Sequence, residues 1–319
     1  MKASAAALLA VLALAGCASQ PPVGEVRLVA KAFDNLNTAS QPLLDELALA
    51  ERAQGQSAAL ARAEAHAKAP TDAAPAIPGS GRCPRILVLG GKIKDIPEVQ
   101  NGFCLDDSYY YSELADPPGT RAFRQALAAV GDYTQLLVIL AEGQNLDEAK
   151  GQLATLTGNL GLALSAAGAS GAGPTLNVLL QAFNPVLDLA AQGSNAKELK
   201  RLAVQESPKV QKLLGALRTQ AGEFFITLTE APMARYNLAL DKPDVEAAEA
   251  AHIEAYRVAV SNYVVLLDQY GALLGDLAKV CDQPKGPITL ASLAERSAQL
   301  SAQADAWRRS LASLRAGLR

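Results

Sequence analysis

Histidine, tryptophan and charge are scarce in this 319-residue chain. It contains two histidines and one tryptophan, and charged residues make up 19% of it. The formal net charge of −3 excludes the basic excess that marks a nucleic-acid-binding surface. Because so few side chains could act as a general base or bind a metal, the composition predicts a protein that is not an enzyme, needs no cofactor and binds no nucleic acid.

Motifs for catalysis and cofactor binding are missing as well. The chain has no G-x-S-x-G motif, and Gly90-Gly91-Lys92 lacks the spacing of a phosphate-binding loop. The glycines between Gly158 and Gly173 do not follow a strand, as a dinucleotide-binding turn would require. These glycines instead favour close helix packing or a bend.

The N-terminal apolar run is too short to cross a membrane. Ala3 to Leu14 is apolar except for Ser4, whereas a membrane-spanning helix needs about 20 apolar residues. A run of this length after Met1-Lys2 is typical of a signal peptide. It ends in the four residues Leu14-Ala15-Gly16-Cys17.

Those four residues match the lipobox, and residues 1–20 resemble the precursor of a bacterial lipoprotein. The resemblance implies that residues 1–16 are a signal peptide and that Cys17 carries a diacylglyceryl thioether and an acylated amine. Ala18, in place of Asp, implies transfer to the outer membrane, with the chain on its periplasmic face. An ordinary signal peptide, cleaved elsewhere with Cys17 incidental, remains the alternative.

Three cysteines remain after Cys17. An oxidising periplasm favours a disulfide, and three cysteines leave one thiol over. Cys83 and Cys104 close the shorter loop, so we predict that they pair and leave Cys281 free. Pairing of Cys281 with either partner stays open.

Heptad patterns predict the fold class. After a tether at 17–24, residues 25–319 form one predicted domain, in which apolar residues recur at steps of three and four. Proline-rich breaks separate long stretches of this kind, which predicts an all-α, elongated, antiparallel helical bundle with coiled-coil-like packing. The stretches are 26–68, 119–143, 145–192 with a break near 168–174, 210–228 ended by Pro232, 252–280, and 290–318.

One segment departs from the helical pattern. Residues 83–118 contain the apolar run Ile86-Leu87-Val88-Leu89 and the tyrosines 109–111, which have β character. We predict an irregular or β-containing insertion here, such as a small hairpin or a loop closed by the disulfide.

Two side-chain patterns suggest a metal site or a ligand site, and each pattern also has a purely structural interpretation. Glu249 and His252 have the Glu-x-x-His spacing of di-iron proteins, but the second motif is missing, which favours a packed histidine and no metal. Tyr256, Tyr263 and Tyr270 recur every seven residues. They could stack on a ligand, although a core stripe is the stronger prediction.

Residues 151–196 contain one charged side chain, Asp188, among many Gly, Ala and Leu residues. Their composition loosely resembles the apolar hairpins of helical pore-forming toxins, while their Thr and Asn side chains favour a buried hairpin. Two functions follow as hypotheses. One is an envelope lipoprotein whose helical bundle is a scaffold or binding module for an envelope protein; the other is a membrane-active protein that inserts 151–196.

Overall fold

The computed structural model describes residues 22–68, 107–144, 146–170, 195–239, 242–283 and 288–317. Over these residues the chain forms helices and no strands, which confirms the all-α prediction. In chain order the helices are α1 (Val23–Lys68), α2 (Ser108–Tyr111), α3 (Pro118–Ala141), α4 (Leu146–Ser170), α5 (Asn195–Arg201), α6 (Ser207–Thr219), α7 (Ala221–Leu238), α8 (Pro243–Asp282) and α9 (Leu290–Gly317). A π-helical turn, Leu202–Glu206, joins α5 to α6.

The end of α1 and the start of α3 fall where prolines and glycines predict them. Two other boundaries differ from the prediction. The apolar stripe of residues 210–228 is divided between α6 and α7 at Gln220, and Pro232 lies inside α7 instead of ending it. Proline removes one backbone hydrogen bond, and here its buried ring and the buried Leu228 pack within the bundle, so the helix continues.

The predicted β character of residues 109–111 is wrong for this part of the segment. These tyrosines form the single helical turn α2, which packs on α1. Gly55 makes the contact possible, because a Cβ atom at that position would collide with the ring of Tyr110. Residues 83–106, including the predicted apolar strand, lie outside the described residues.

Helices α1 and α3 run antiparallel, and polar contacts mark both ends of the pair. At one end the carboxylate of Glu51 accepts hydrogen bonds from the backbone N–H groups of Gly119 and Thr120, both at 2.8 Å. It thereby satisfies two of the free N–H groups at the start of α3. At the other end Arg27 pairs with Glu142 at 2.6 Å.

Helix α8 runs antiparallel to α1 on another side. Phe33 of α1 meets Tyr270 of α8 with ring centroids 5.0 Å apart. Helix α9 then turns back along α8, with Arg296 paired to the buried Asp276. The contacts of Glu46 with Tyr256 and of Phe33 with Tyr270 give the antiparallel direction of α1 and α8.

The predicted stripes form the core. Tyr263 and Tyr270 have no exposed surface and Tyr256 is 9% exposed, which confirms the structural interpretation of the tyrosine repeat. The aromatic rings form a chain through the bundle: Phe123 meets Phe224 edge to face at 4.3 Å, and Tyr263 lies 6.2 Å from Trp307. Aromatic pairs in these geometries add to the free energy of burial.

We expect Leu43→Ala and Leu49→Ala to have very different effects on stability. The two leucines lie on α1, and Leu43 is fully buried whereas Leu49 is 56% exposed. Leu43→Ala should lower the free energy of unfolding by about 2–5 kcal/mol, because it leaves a cavity. Leu49→Ala should change it by less than about 0.5 kcal/mol. Urea unfolding followed by circular dichroism measures both, and equal losses would contradict the assignment of the buried face.

Candidate functional site

A groove with a volume of about 420 Å³ runs between α8 and α9. Both helices turn their apolar stripes toward α1 and the core, and the groove lies where their outer faces meet. We call it the α8–α9 groove. It is lined by Asn262, Val265, Leu266, Gln269, Gln303, Ala306, Trp307 and Ser310.

The sequences of the two helices explain why the space is open. On α9, Trp307 turns inward and is 4% exposed, while its neighbours along the groove, Ala306 and Ser310, have small side chains. On α8, Val265 stands beside the buried Leu266 and is 50% exposed. Small residues opposite a half-exposed valine leave a concave surface of apolar and amide groups that no side chain of the described chain fills.

Two polar atoms beside the groove have no hydrogen-bond partner. They are the indole Nε1 of Trp307 and the amide Oε1 of Gln303, both shielded from solvent. The two residues lie one helical turn apart on the same face of α9. A buried donor or acceptor without a partner costs about 1–3 kcal/mol, so each of these two atoms lowers the free energy of unfolding.

The groove carries no charged side chain among its lining residues. Asp268 of α8 pairs with Arg218 of α6 at 2.9 Å and Arg308 of α9 pairs with Asp305 at 3.4 Å, and these four residues lie outside the lining. A charged group that entered would lose its hydration without gaining an opposite charge. An occupant must therefore present an uncharged surface.

The lining residues offer binding and no evident chemistry. Ser310 has the only hydroxyl among them, and none of them could act as its base. The remaining polar groups are amides and the indole, which recognise by hydrogen bonding.

The Glu249–His252 pair comes together as predicted, but with an arginine. Arg235 of α7 donates two hydrogen bonds to the Glu249 carboxylate, at 2.6 and 2.9 Å, and His252 Nδ1 lies 3.4 Å from it. The Arg235 guanidinium, and secondarily His252, holds the pKa of Glu249 below its usual value. Over the described residues no group of His, Cys, Asp and Glu side chains could hold a metal ion.

Three of the four cysteines, Cys17, Cys83 and Cys104, lie outside the described residues. The lipid attachment at Cys17 and the disulfide between Cys83 and Cys104 therefore stay predictions. Cys281, in the last turn of α8, has a free thiol that is partly buried. Burial raises its pKa to about 11, which makes it a poor nucleophile at neutral pH.

The apolar segment 151–196 is described in its first half. Helix α4 packs one face on α3, burying Leu156 completely, while Leu162 is 55% exposed. The part within 171–194 lies outside the described residues. No helix in the described ranges is both long enough and apolar enough to cross a membrane.

Sequence reasoning missed the α8–α9 groove. Trp307 lies in the predicted helical stretch 290–318 and is buried, whereas the outer faces of α8 and α9 carry no motif that predicts a site. A signal was present: Val258 and Val265 are seven residues apart, and they are 49% and 50% exposed. They lie on the same outer face of α8, with the polar Ser261 and Asn262 between them.

No family model, curated protein or solved structure matches this chain. The fold and the groove are therefore interpreted from the residues and their geometry.

Proposed function

We propose that this chain is a lipid-anchored, non-enzymatic envelope protein whose helical bundle is a binding module. The α8–α9 groove is the observation that supports it: a concave, uncharged surface on two long, well-packed helices, with two polar atoms lacking partners. Rigid helices hold such a surface in place, which lowers the entropic cost of binding. Residues 1–16 would be removed, and Cys17 would attach the module to the periplasmic face of the outer membrane.

The distances along the chain fit a module held near the bilayer. Helix α1 begins at Val23, so the tether from Cys17 can span at most about 20 Å. Because Phe33 of α1 meets Tyr270 of α8, the groove lies level with the residues just after Phe33. At 1.5 Å per residue, that places it about 20 Å along the bundle from the start of α1. An anchored partner could reach a surface at this height.

A membrane-active function is the second candidate. It is favoured by the exposed face of α4, where Gly151, Thr155, Gly158 and Leu162 present no charge to solvent. Against it, Leu156 on the opposite face is fully buried, so insertion would have to remove α4 from α3.

Replacing Cys17 tests the anchor. Cys17→Ser removes the thiol that would carry the lipid, and we expect the chain to leave the membrane fraction, because stable anchoring needs two or more acyl chains. Cell fractionation and metabolic labelling with a fatty-acid analogue measure this. A Cys17→Ser protein that still takes up label and sediments with membranes would refute the anchor.

A photo-cross-linking residue at Val265 tests the binding module. In intact cells we expect adducts from Val265 that are absent when the same residue replaces Leu49, an equally exposed position on α1. Gel shifts and mass spectrometry identify them. If neither position gives a specific adduct, the groove is not a binding site.

Lysine substitutions on α4 separate the two candidate functions. Leu156→Lys buries an unpaired ammonium and should lower the free energy of unfolding by more than about 3 kcal/mol. Leu162→Lys at the exposed position should leave stability within about 0.5 kcal/mol. Thermal melting and dye release from liposomes are measured on the parent and both variants. Leakage by the parent that Leu162→Lys abolishes would support membrane activity instead.

A further inference from the structure

We infer that the α8–α9 groove binds one neutral sugar ring, either free or as a unit of a longer glycan. This inference rests on the proposed function and names the chemical class of the ligand. Three features of the groove lead to it: the order of polar and apolar groups along its length, the hydrogen-bonding chemistry of the polar groups, and the absence of charge among the lining residues.

The directions of α8 and α9 determine which lining residues lie opposite each other. Tyr263 of α8 lies 6.2 Å from Trp307 of α9, measured between ring centroids. Further along α8, Asp276 pairs with Arg296 of α9. An increase in residue number along α8 therefore corresponds to a decrease along α9, so the first lining residue of α8 lies opposite the last lining residue of α9.

Polar side chains form both ends of the groove. Asn262 of α8 lies opposite Ser310 of α9 at one end. Gln269 of α8 lies opposite Gln303 of α9 at the other end, and the seven positions between Asn262 and Gln269 separate the two ends by about 10 Å. The middle of the groove is lined by Val265, Leu266, Ala306 and Trp307.

A sugar ring has the same order of groups. Its C–H groups are apolar and suit the middle of the groove, whereas its hydroxyl groups stand around the edge of the ring and suit the two polar ends. The groove volume of about 420 Å³ is large enough for one such ring.

The polar side chains of the lining suit hydroxyl groups, which both donate and accept hydrogen bonds. The amides of Asn262, Gln269 and Gln303 each carry a donor and an acceptor, and the hydroxyl of Ser310 acts as both. Within the described chain these four side chains have no hydrogen-bond partner. A purely apolar ligand would remove them from water without replacing those bonds, which is unfavourable. A sugar replaces them.

Trp307 and Gln303 favour a ligand that forms hydrogen bonds for a second reason. Trp307 is 4% exposed and its indole Nε1 has no acceptor, while the Gln303 Oε1 one helical turn away has no donor. Gln303 is partly exposed, so its side chain can rotate. A sugar hydroxyl, or the acetamido group of an N-acetylated sugar, would then accept a hydrogen bond from the indole and donate one to the Gln303 amide.

The lining also selects the charge of the sugar. None of the lining residues is charged, and the nearby carboxylates of Asp268 and Asp305 are each paired with an arginine. An ammonium or carboxylate group on the sugar would lose hydration without gaining an opposite charge. The groove should therefore prefer a neutral sugar to a charged analogue of similar shape.

Fluorescence of Trp307 tests the inference directly, because it is the only tryptophan in the chain. The full-length chain is titrated in a detergent without a sugar headgroup. Glucose and N-acetylglucosamine are the neutral probes; glucuronate and glucosamine are their charged counterparts, used at about pH 6 so that the amine is protonated. We expect a neutral probe to shift the emission with a dissociation constant of about 1 mM, as suits so small a ligand. Its charged counterpart should bind at least about tenfold more weakly.

Two variants and a matched control assign the response to the groove. Asn262→Leu and Gln269→Leu each remove one amide at a partly exposed helix position, and each should raise the dissociation constant at least about tenfold. Gln299→Leu makes the same change at an exposed position of α9 outside the lining, and it should bind like the parent. Circular dichroism checks that all three variants keep the fold.

No response to either neutral probe, or equal affinity for neutral and charged probes, would overturn the inference. Groove variants that bind as the parent does would overturn it as well. The cross-linker at Val265 separates this failure from that of the proposed function: adducts with a protein, without any response to sugar, support a binding module and overturn the sugar site. A glycan adduct supports the inference, and its mass distinguishes a free sugar from a unit of a polymer.

Discussion

The contact between Phe33 and Tyr270 holds the bundle together at its middle. The rings lie 5.0 Å apart, both residues are fully buried, and Gly131 of α3 lets Phe33 fit because a side chain there would press on its ring. Three long helices meet at this point. Contacts further along the helices, from Glu51 to the start of α3 and from Glu46 to Tyr256, fix their antiparallel order.

Polar contacts at the ends and margins of the bundle join its helices in addition to the apolar core. Glu51 caps α3 from a distance, and Arg235 neutralises Glu249 between α7 and α8. Tyr133 donates its hydroxyl hydrogen bond to the carbonyl of Leu202, at the π-helical turn, over 2.9 Å. Other buried polar atoms have no partner, among them the hydroxyls of Tyr263 and Tyr270 in the core and the indole Nε1 of Trp307 beside the groove.

The outer faces of α8 and α4 carry apolar side chains that no described helix covers. The aromatic stripe of α8 is buried in the core, whereas the valines on the outer side of the helix remain half exposed. The same is true of α4, where Leu156 faces α3 and Leu162 faces outward.

Much of the fold could be predicted because helix periodicity is a local property. The stripe from Val26 to Leu47 and the tyrosines of α8 are buried as their spacing indicates, and α1 ends at Lys68 before the prolines. Local rules failed where packing outweighed them. Pro232 did not end α7, because the burial of Leu228, Thr229 and Pro232 itself compensates for one missing hydrogen bond, and the tyrosines of α2 formed a helical turn against Gly55.

The sequence by itself determined the helical class, the buried stripes and the resemblance of residues 1–20 to a lipoprotein precursor, because each is written in the order of neighbouring residues. Only the tertiary structure decided that Glu249 pairs with Arg235, that α4 packs on α3, and that an uncharged groove opens between α8 and α9. The physical reason is that the period of a helix is set by neighbouring residues, whereas the surfaces that it buries depend on helices that lie far away in the chain.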